Sequence, residues 1–283
     1  MPHLKPIHLC ADDFGLNPGV SRGILTLIEH KRISATSCMV NMPGFKSHAS
    51  ALLDLRHSVR VGLHFNLTEG QLLTGGRCFG LKELLIKSHI RNLDSSKITQ
   101  EFHHQLDSFV QIMGFLPNFI DGHQHVHQFP LIRTLILNYY AAHLQAHNIA
   151  IRSTFPTVHG KAYKFKTHLM AWTGGRALQA QLKKRHIPHN PYFAGIYDFT
   201  DYSDYPVLFR QWLAETPAHS LIMCHPGEPS SQTDIISITR KLEMDYLMSE
   251  PFLKDCQDHQ VRIGDLPTSP DLRYNKTVSR NQD

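Results

Sequence analysis

The 283-residue sequence predicts a single α/β domain, a (β/α) barrel that is irregular or seven-stranded. Two observations predict it. Short apolar runs alternate with amphipathic stretches along the chain. The runs also end repeatedly in residues that carry chemistry: Asp12 and Asp13, His64, Asp121 and His123, Arg152, His225. A parallel barrel turns all its strand carboxyl ends to one mouth, so these residues are expected to converge there.

Residues 7–11 are short and apolar, as a buried parallel strand requires. Asn17 and Pro18 supply a helix cap and a first helical residue, and Val20, Ile24, Leu27 and Ile28 then recur at helical spacing. Residues 37–40 form a second apolar run, 49–55 read as helix, and 60–65 read as a strand that carries His64. Ile98, Phe102, Leu106, Phe109, Val110 and Met113 place one apolar face on a helix over 97–113. A strand over 118–121 leads into a histidine cluster. A helix over 130–147 and a strand over 149–152 follow, then a strand over 220–225 closed by Pro226 and Gly227. Residues 234–258 are expected to be mainly helical, and 261–263 a final strand. The catalytic domain is expected to span 1–266, with a polar tail over 267–283.

Residues 159–191 break the alternation. Lys161, Lys164, Lys166, Arg176, Lys183, Lys184 and Arg185 gather there, with Trp172 and Leu178 between them. The expectation is an excursion over the mouth, either a surface helix pair or a lid or homodimer contact.

Composition narrows the function classes. Hydrophobic residues make up 41% and charged residues 19%, as in soluble globular domains. The net charge of +5 is scattered and no nucleic-acid motif accompanies it, so nucleic acid is not an expected partner. Five cysteines with no Cys-x-x-Cys pair argue for reduced thiols and a cytoplasmic protein. The first residues lack the apolar core of a signal peptide, and no run reaches transmembrane length, so no membrane partner is expected. The 21 histidines are the compositional oddity.

Adjacent side chains on a strand point to opposite faces, so Asp12 and Asp13 can share a site only where the strand turns. Phe14 and Gly15 are expected to provide that turn. Two carboxylates so placed need a cation: one can bind a metal while the other stays ionised beside it as a base. If His123, His125 and His127 lie on an extended segment, the outer pair stand roughly 13 Å apart, so one or two bind and the rest line the pocket. Asp13, His64 and His123 would supply one oxygen and two nitrogen ligands and leave positions open, as catalytic metals require. Asp12 could then take a proton from water, His225 could protonate the leaving atom, and Arg152 could hold the charge of the base or a substrate oxygen. Asn66 and Asp121 are the remaining candidates, for substrate contact or for support of the ligands.

Ala11-Asp12-Asp13-Phe14-Gly15, Gly62-Leu63-His64-Phe65-Asn66-Leu67-Thr68, Asp121-Gly122-His123-Gln124-His125-Val126-His127 and Cys224-His225-Pro226-Gly227 closely resemble the motifs of the YdjC/ChbG-like carbohydrate deacetylases. The resemblance runs over residues 7–263. It implies a barrel related to polysaccharide deacetylases and a divalent ion, magnesium or zinc. By motif it makes Asp12 the proton acceptor, Asp13, His64 and His123 the metal ligands, and His225 the general acid. Arg152 falls near the base, with His125 and His127 in the pocket. The implied reaction removes an N-acetyl group from an amino sugar or oligosaccharide and releases acetate. Competing readings are a metal-dependent barrel hydrolase of the amidohydrolase type, a carbohydrate-binding protein without activity, and a metal-dependent sugar isomerase. The amidohydrolase His-x-His pair follows the first strand, whereas here an Asp pair holds that place.

Overall fold

In the computed structural model, which describes residues 4–156, 168–200, 204–230 and 234–264, the strands curl into an open parallel barrel wrapped by helices. Along the chain run β1 (Lys5–Phe14), α1 (Pro18–Glu29), β2 (Ala35–Cys38), α2 (Pro43–Asp54), β3 (Arg60–Phe65), α3 (Leu81–His89), α4 (Ser95–Met113) and β4 (Phe119–Gly122). Then follow α5 (Pro130–Tyr139), β5 (Ala150–Ile151), α6 (Arg176–Lys184), β6 (Tyr192–Ala194), α7 (Tyr205–Glu215), β7 (Ser220–Cys224), α8 (Ser237–Met248), α9 (Glu250–Asp258) and β8 (Val261–Ile263). Seven strands lie in the order β5-β4-β3-β2-β1-β7-β6, all pairings parallel, and β8 adds an eighth against the first residues of β1. The barrel class and its irregular seven-strand path are as the sequence predicts.

β1 is the central strand. Ile7, Leu9, Ala11 and Phe14 are fully buried between helices, the near-continuous apolar run of a parallel strand covered on both faces. The start of α1 is fixed by Asn17, whose side chain accepts from the Val20 amide at 3.0 Å, with Pro18 preset for the first turn. α4 begins at Asp94, which accepts from the amides of Ser96 and Lys97, and stops at Gly114 in the left-handed conformation. Its apolar face buries Ile98, Phe102, Leu106, Phe109 and Met113 against β3 and the neighbouring helices.

Among the described residues the barrel wall has one seam. β5 and β6 do not pair as strands; the Ile151 amide donates to Pro188 O at 2.9 Å. Beside it, Asn190 accepts from the Ser153 amide at 2.8 Å and donates to Ser153 O at 2.8 Å. A side-chain amide thus takes the place of a strand's peptide group.

The structure departs from expectation in several elements. The helix over 130–147 ends at Tyr139 and passes through a wide turn, Tyr140–Leu144, into a tight one, Gln145–His147. The stretch 234–258 is two helices separated at Ser249, which caps the second through the Phe252 amide. α3, β6 and α7 are additional elements. Within the described residues, the excursion is the crossover from β5 to β6. α6 buries Leu178 and Leu182, and Arg185 donates to Leu137 O of α5 at 3.2 Å. Lys161, Lys164 and Lys166 lie outside the described residues, as does the tail expected from 267. Among the described residues, no helix is long and apolar enough to cross a membrane.

Candidate metal centre

The carboxyl ends of β1, β3, β4, β5 and β7 bring the predicted residues to one end of the barrel. The Asp pair gets there by a bulge. Ala11 pairs with Thr36 and Phe14 with Cys38, so β1 advances three residues where β2 advances two. Asp13 adopts φ 71, a left-handed conformation that Asp tolerates better than most residues. The strand continues through Phe14, so the turn expected at Phe14 and Gly15 is replaced by a bulge one step earlier. It brings both carboxylates to the same site, each 1% exposed.

Asp13 Oδ1 lies 2.9 Å from His123 Nδ1 and 3.3 Å from His64 Nε2. The other ring nitrogen of His64, Nδ1, lies 2.6 Å from Asp121 Oδ1. Asp121 in turn accepts from Ser37 Oγ at 2.5 Å. Burial opposes charge on His64, but Asp121 beside Nδ1 and Asp13 beside Nε2 push its pKa up to about 10. The same anions make the Nε2 face attractive to any cation, proton or metal. Asp13 itself is held well below the usual carboxylate range: burial opposes this, and His123 and Arg240 outweigh it.

Asp12 faces Arg152. The guanidinium donates to both carboxylate oxygens at 2.6 Å and is completely buried. Arg152 also contacts Asp121 Oδ2 at 2.6 Å, as an ion-pair contact rather than a directed hydrogen bond. Burial alone would raise the Asp12 pKa, but Arg152 overcomes it and keeps the group ionised.

The histidine segment is not extended. His123–Gln128 is a tight helical turn in which Gln124 and His125 both adopt positive φ, 50 and 60. His123 therefore reaches Asp13, while His125 and His127 turn elsewhere. His125 stands edge-on to Phe193, with centroids 5.9 Å apart, and its Nδ1 has no hydrogen-bond partner. His127 Nε2 lies 3.1 Å from Arg152 O, and its Nδ1 is likewise without a partner. Burial pushes both imidazoles down, His127 to about 4. His225, at the end of β7, packs edge-on against Phe199, and its amide donates to Glu243 Oε2 at 2.5 Å. Burial holds His225 down to about 4 against the opposing pull of Asp13 and Asp12. Asn66 directs its side chain into its own loop, accepting from the Thr68 and Glu69 amides and donating to Asn41 Oδ1 and Glu69 O.

One carboxylate oxygen and two imidazole nitrogens from Asp13, His64 and His123, all within 4.8 Å of one another, fit a divalent ion with positions to spare. Asp121 stands behind His64 where a carboxylate that orients a ligating imidazole would stand. A second group, Asp12, His64 and Asp121, is equally compact, but Arg152 already occupies the oxygens of Asp12. Two residues not singled out from sequence complete the site. Arg240 donates to Asp13 Oδ2 at 2.7 Å, and Glu243 accepts a bond from Tyr197 as well as from His225. A lone Arg or Glu on a helix carries no local signal of such a contact.

Comparisons with known proteins place this geometry in a wider setting. A family model described as YdjC-like protein matches residues 6–258. The chain is 34% identical over 145 residues to a chitooligosaccharide deacetylase of Proteus mirabilis, which covers 49% of this chain and 56% of the relative. It is 31% identical over 151 residues to a human carbohydrate deacetylase, covering 49% and 45% respectively. The matches thus span about half the length of these relatives. Among solved structures, a proposed cellobiose-phosphate cleavage protein of Enterococcus faecalis superposes with a TM-score of 0.67 at 17% identity, over 93% of this chain and 97% of that one. A peptidoglycan N-acetylglucosamine deacetylase superposes at 0.50 with 10% identity, over 94% and 87%. Both likenesses speak for the fold.

Proposed function

Because the chain belongs to the YdjC-like family, we propose that it is a metal-dependent carbohydrate deacetylase, which hydrolyses the N-acetyl group of an amino sugar or oligosaccharide and releases acetate. The observation that carries this reading is the division of labour in the Asp pair. Asp13 joins His64 and His123, while Asp12 stays ionised beside them on Arg152 without being needed as a ligand.

A bound magnesium or zinc ion, held by Asp13, His64 and His123, would lower the pKa of water and polarise the amide carbonyl. Asp12 takes the proton from the attacking water, and Arg152 keeps its carboxylate oriented and ionised. His225 is neutral at rest. Negative charge building on the substrate raises its proton affinity, so that it can take up the proton that Asp12 removes from water and pass it to the leaving amine. The unpartnered nitrogens of His125 and His127 support a role as binding groups for sugar hydroxyls. The names of the relatives support the substrate class: two are a chitooligosaccharide and a carbohydrate deacetylase.

The test measures acetate release from a panel of N-acetylated sugars by wild type and by Asp12→Asn, with bound metal quantified in both. The expected result is acetate release by wild type, and a loss of at least about a hundredfold in the variant at unchanged metal content. Metal binding without acetate release across the panel would sink the deacetylase reading and favour an amidohydrolase-type or non-catalytic carbohydrate-binding protein.

A further inference from the structure

Arg240 presents an electrostatic puzzle. Its side chain is 4% exposed, and Nη2 lies 2.7 Å from Oδ2 of Asp13, the carboxylate whose other oxygen meets His64 and His123. A buried guanidinium beside a candidate cation site repels the cation and costs desolvation. If it only tied α8 to β1, an apolar side chain of similar size would do so without that penalty. Its remaining contacts point inward too: Nε pairs with Asp234, and Nη1 lies 3.4 Å from His225 O. One planar fork therefore spans the metal-side carboxylate and the backbone of the candidate acid, and Asp234 holds its other edge.

We infer that Arg240 is a positioning residue that restricts Asp13 to one-oxygen ligation and weakens the hold of the site on its divalent ion, so that the ion stays electron-poor. This rests on the metal reading above. By occupying Oδ2, the guanidinium leaves only Oδ1 aimed between His64 Nε2 and His123 Nδ1. It also draws part of the carboxylate's charge away from the ion, and an electron-poor ion polarises a carbonyl more strongly. Nearby, Asp12 and Asp121 share Arg152, whereas Oδ1 of Asp13 meets the imidazoles of His64 and His123 and Oδ2 meets Arg240, the guanidinium that contacts Asp13 among the described residues. The sign of its effect on affinity follows: removing Arg240 frees a second oxygen and deletes a like charge, and both changes tighten the metal.

The experiment is calorimetric titration of the metal-stripped protein with zinc chloride, comparing wild type, Arg240→Gln, Arg240→Lys and Asp234→Asn, with melting temperatures alongside. The expected result is zinc bound at least fivefold more tightly by Arg240→Gln. Arg240→Lys, which keeps the charge but not the fork, falls between wild type and Arg240→Gln. Asp234→Asn, which removes a counter-anion without touching Asp13, binds severalfold more weakly. A merely structural tie predicts the opposite for Arg240→Gln, namely weaker binding. Weaker or unchanged affinity in a folded Arg240→Gln overturns the inference, and if that variant does not fold, unchanged affinity in Asp234→Asn overturns it. A wild type that binds no zinc overturns it together with the metal reading. A wild type that binds zinc but releases no acetate defeats only the deacetylase reading, and the zinc comparison still decides the role of Arg240.

Discussion

Removal of the Arg152 side chain should destabilise the protein strongly. Its guanidinium is completely buried and meets two carboxylates, Asp12 at 2.6 Å through both oxygens and Asp121 at 2.6 Å. Arg152→Met keeps the bulk, strands Asp12 and leaves Asp121 with His64. Breaking a buried ion pair by removing one partner costs about 3–5 kcal/mol, and the one stranded carboxylate with a second weakened places this case near the middle, at about 4 kcal/mol. For a chain of this length that corresponds to a fall in Tm of roughly 8 °C or more. A double-mutant cycle isolates the cause. Asp12→Asn in the Arg152→Met background deletes one stranded charge and should recover about 2 kcal/mol, so the two substitutions are expected to be strongly non-additive. Thermal melts and urea unfolding of the four proteins measure it. A loss below about 1 kcal/mol in the single variant, or additivity within about 0.5 kcal/mol in the cycle, would refute the electrostatic account.

Two further predictions concern stability. Gly15 has φ +96, and a Cβ there would stand 2.6 Å from Phe45 Cβ and 2.9 Å from Phe45 Cα. Gly15→Ala should therefore cost about 2–4 kcal/mol by urea unfolding, and a loss under about 1 kcal/mol would show that α2 yields to it. His8 is pushed down to about 4 from 6.5, first by burial and then by Arg60, His219 and Arg262. The folded state resists a proton that the unfolded chain accepts, so stability is complete above about pH 6.5 and declines as pH falls from there towards 4. The ring is only partly buried, so the loss is discounted to about 1–2 kcal/mol. His8→Gln should flatten that arm of the Tm-against-pH curve, and a variant curve parallel to wild type would remove His8 as its source.

Much of the architecture was readable because parallel strands advertise themselves. β1, β3 and β7 are apolar runs ending in polar residues, and α4 shows its buried stripe at regular spacing. β6 escaped notice because only three residues form it, and its place in the wall depends on partners far along the chain. At the site, the residue types named the chemistry but not the backbone that delivers them. Nothing in Asp12-Asp13 marks a bulge, since Asp13 reaches φ 71 without the glycine that would signal it. Gln124 and His125 are left-handed in the same unmarked way, which is why the spacing leaves an extended segment open where a tight turn exists. Arg240 lies 227 positions from the carboxylate it holds. A contact of that kind is made by topology, and one sequence contains no trace of it.

The seam between β5 and β6 gives the barrel a built-in place to vary. Elsewhere the described wall pairs neighbouring strands through their peptide groups, with side chains such as Asn118 and Ser34 joining at single positions. At the seam it depends on Asn190, whose amide clasps both polar groups of Ser153, next to Arg152. Substitutions at the clasp change a side-chain contact of the wall without altering Asp13, His64 or His123, which sit on other elements, while Arg152 stands beside it. Under the deacetylase reading proposed above, the fit of the sugar can be varied at the clasp while the candidate metal ligands are kept.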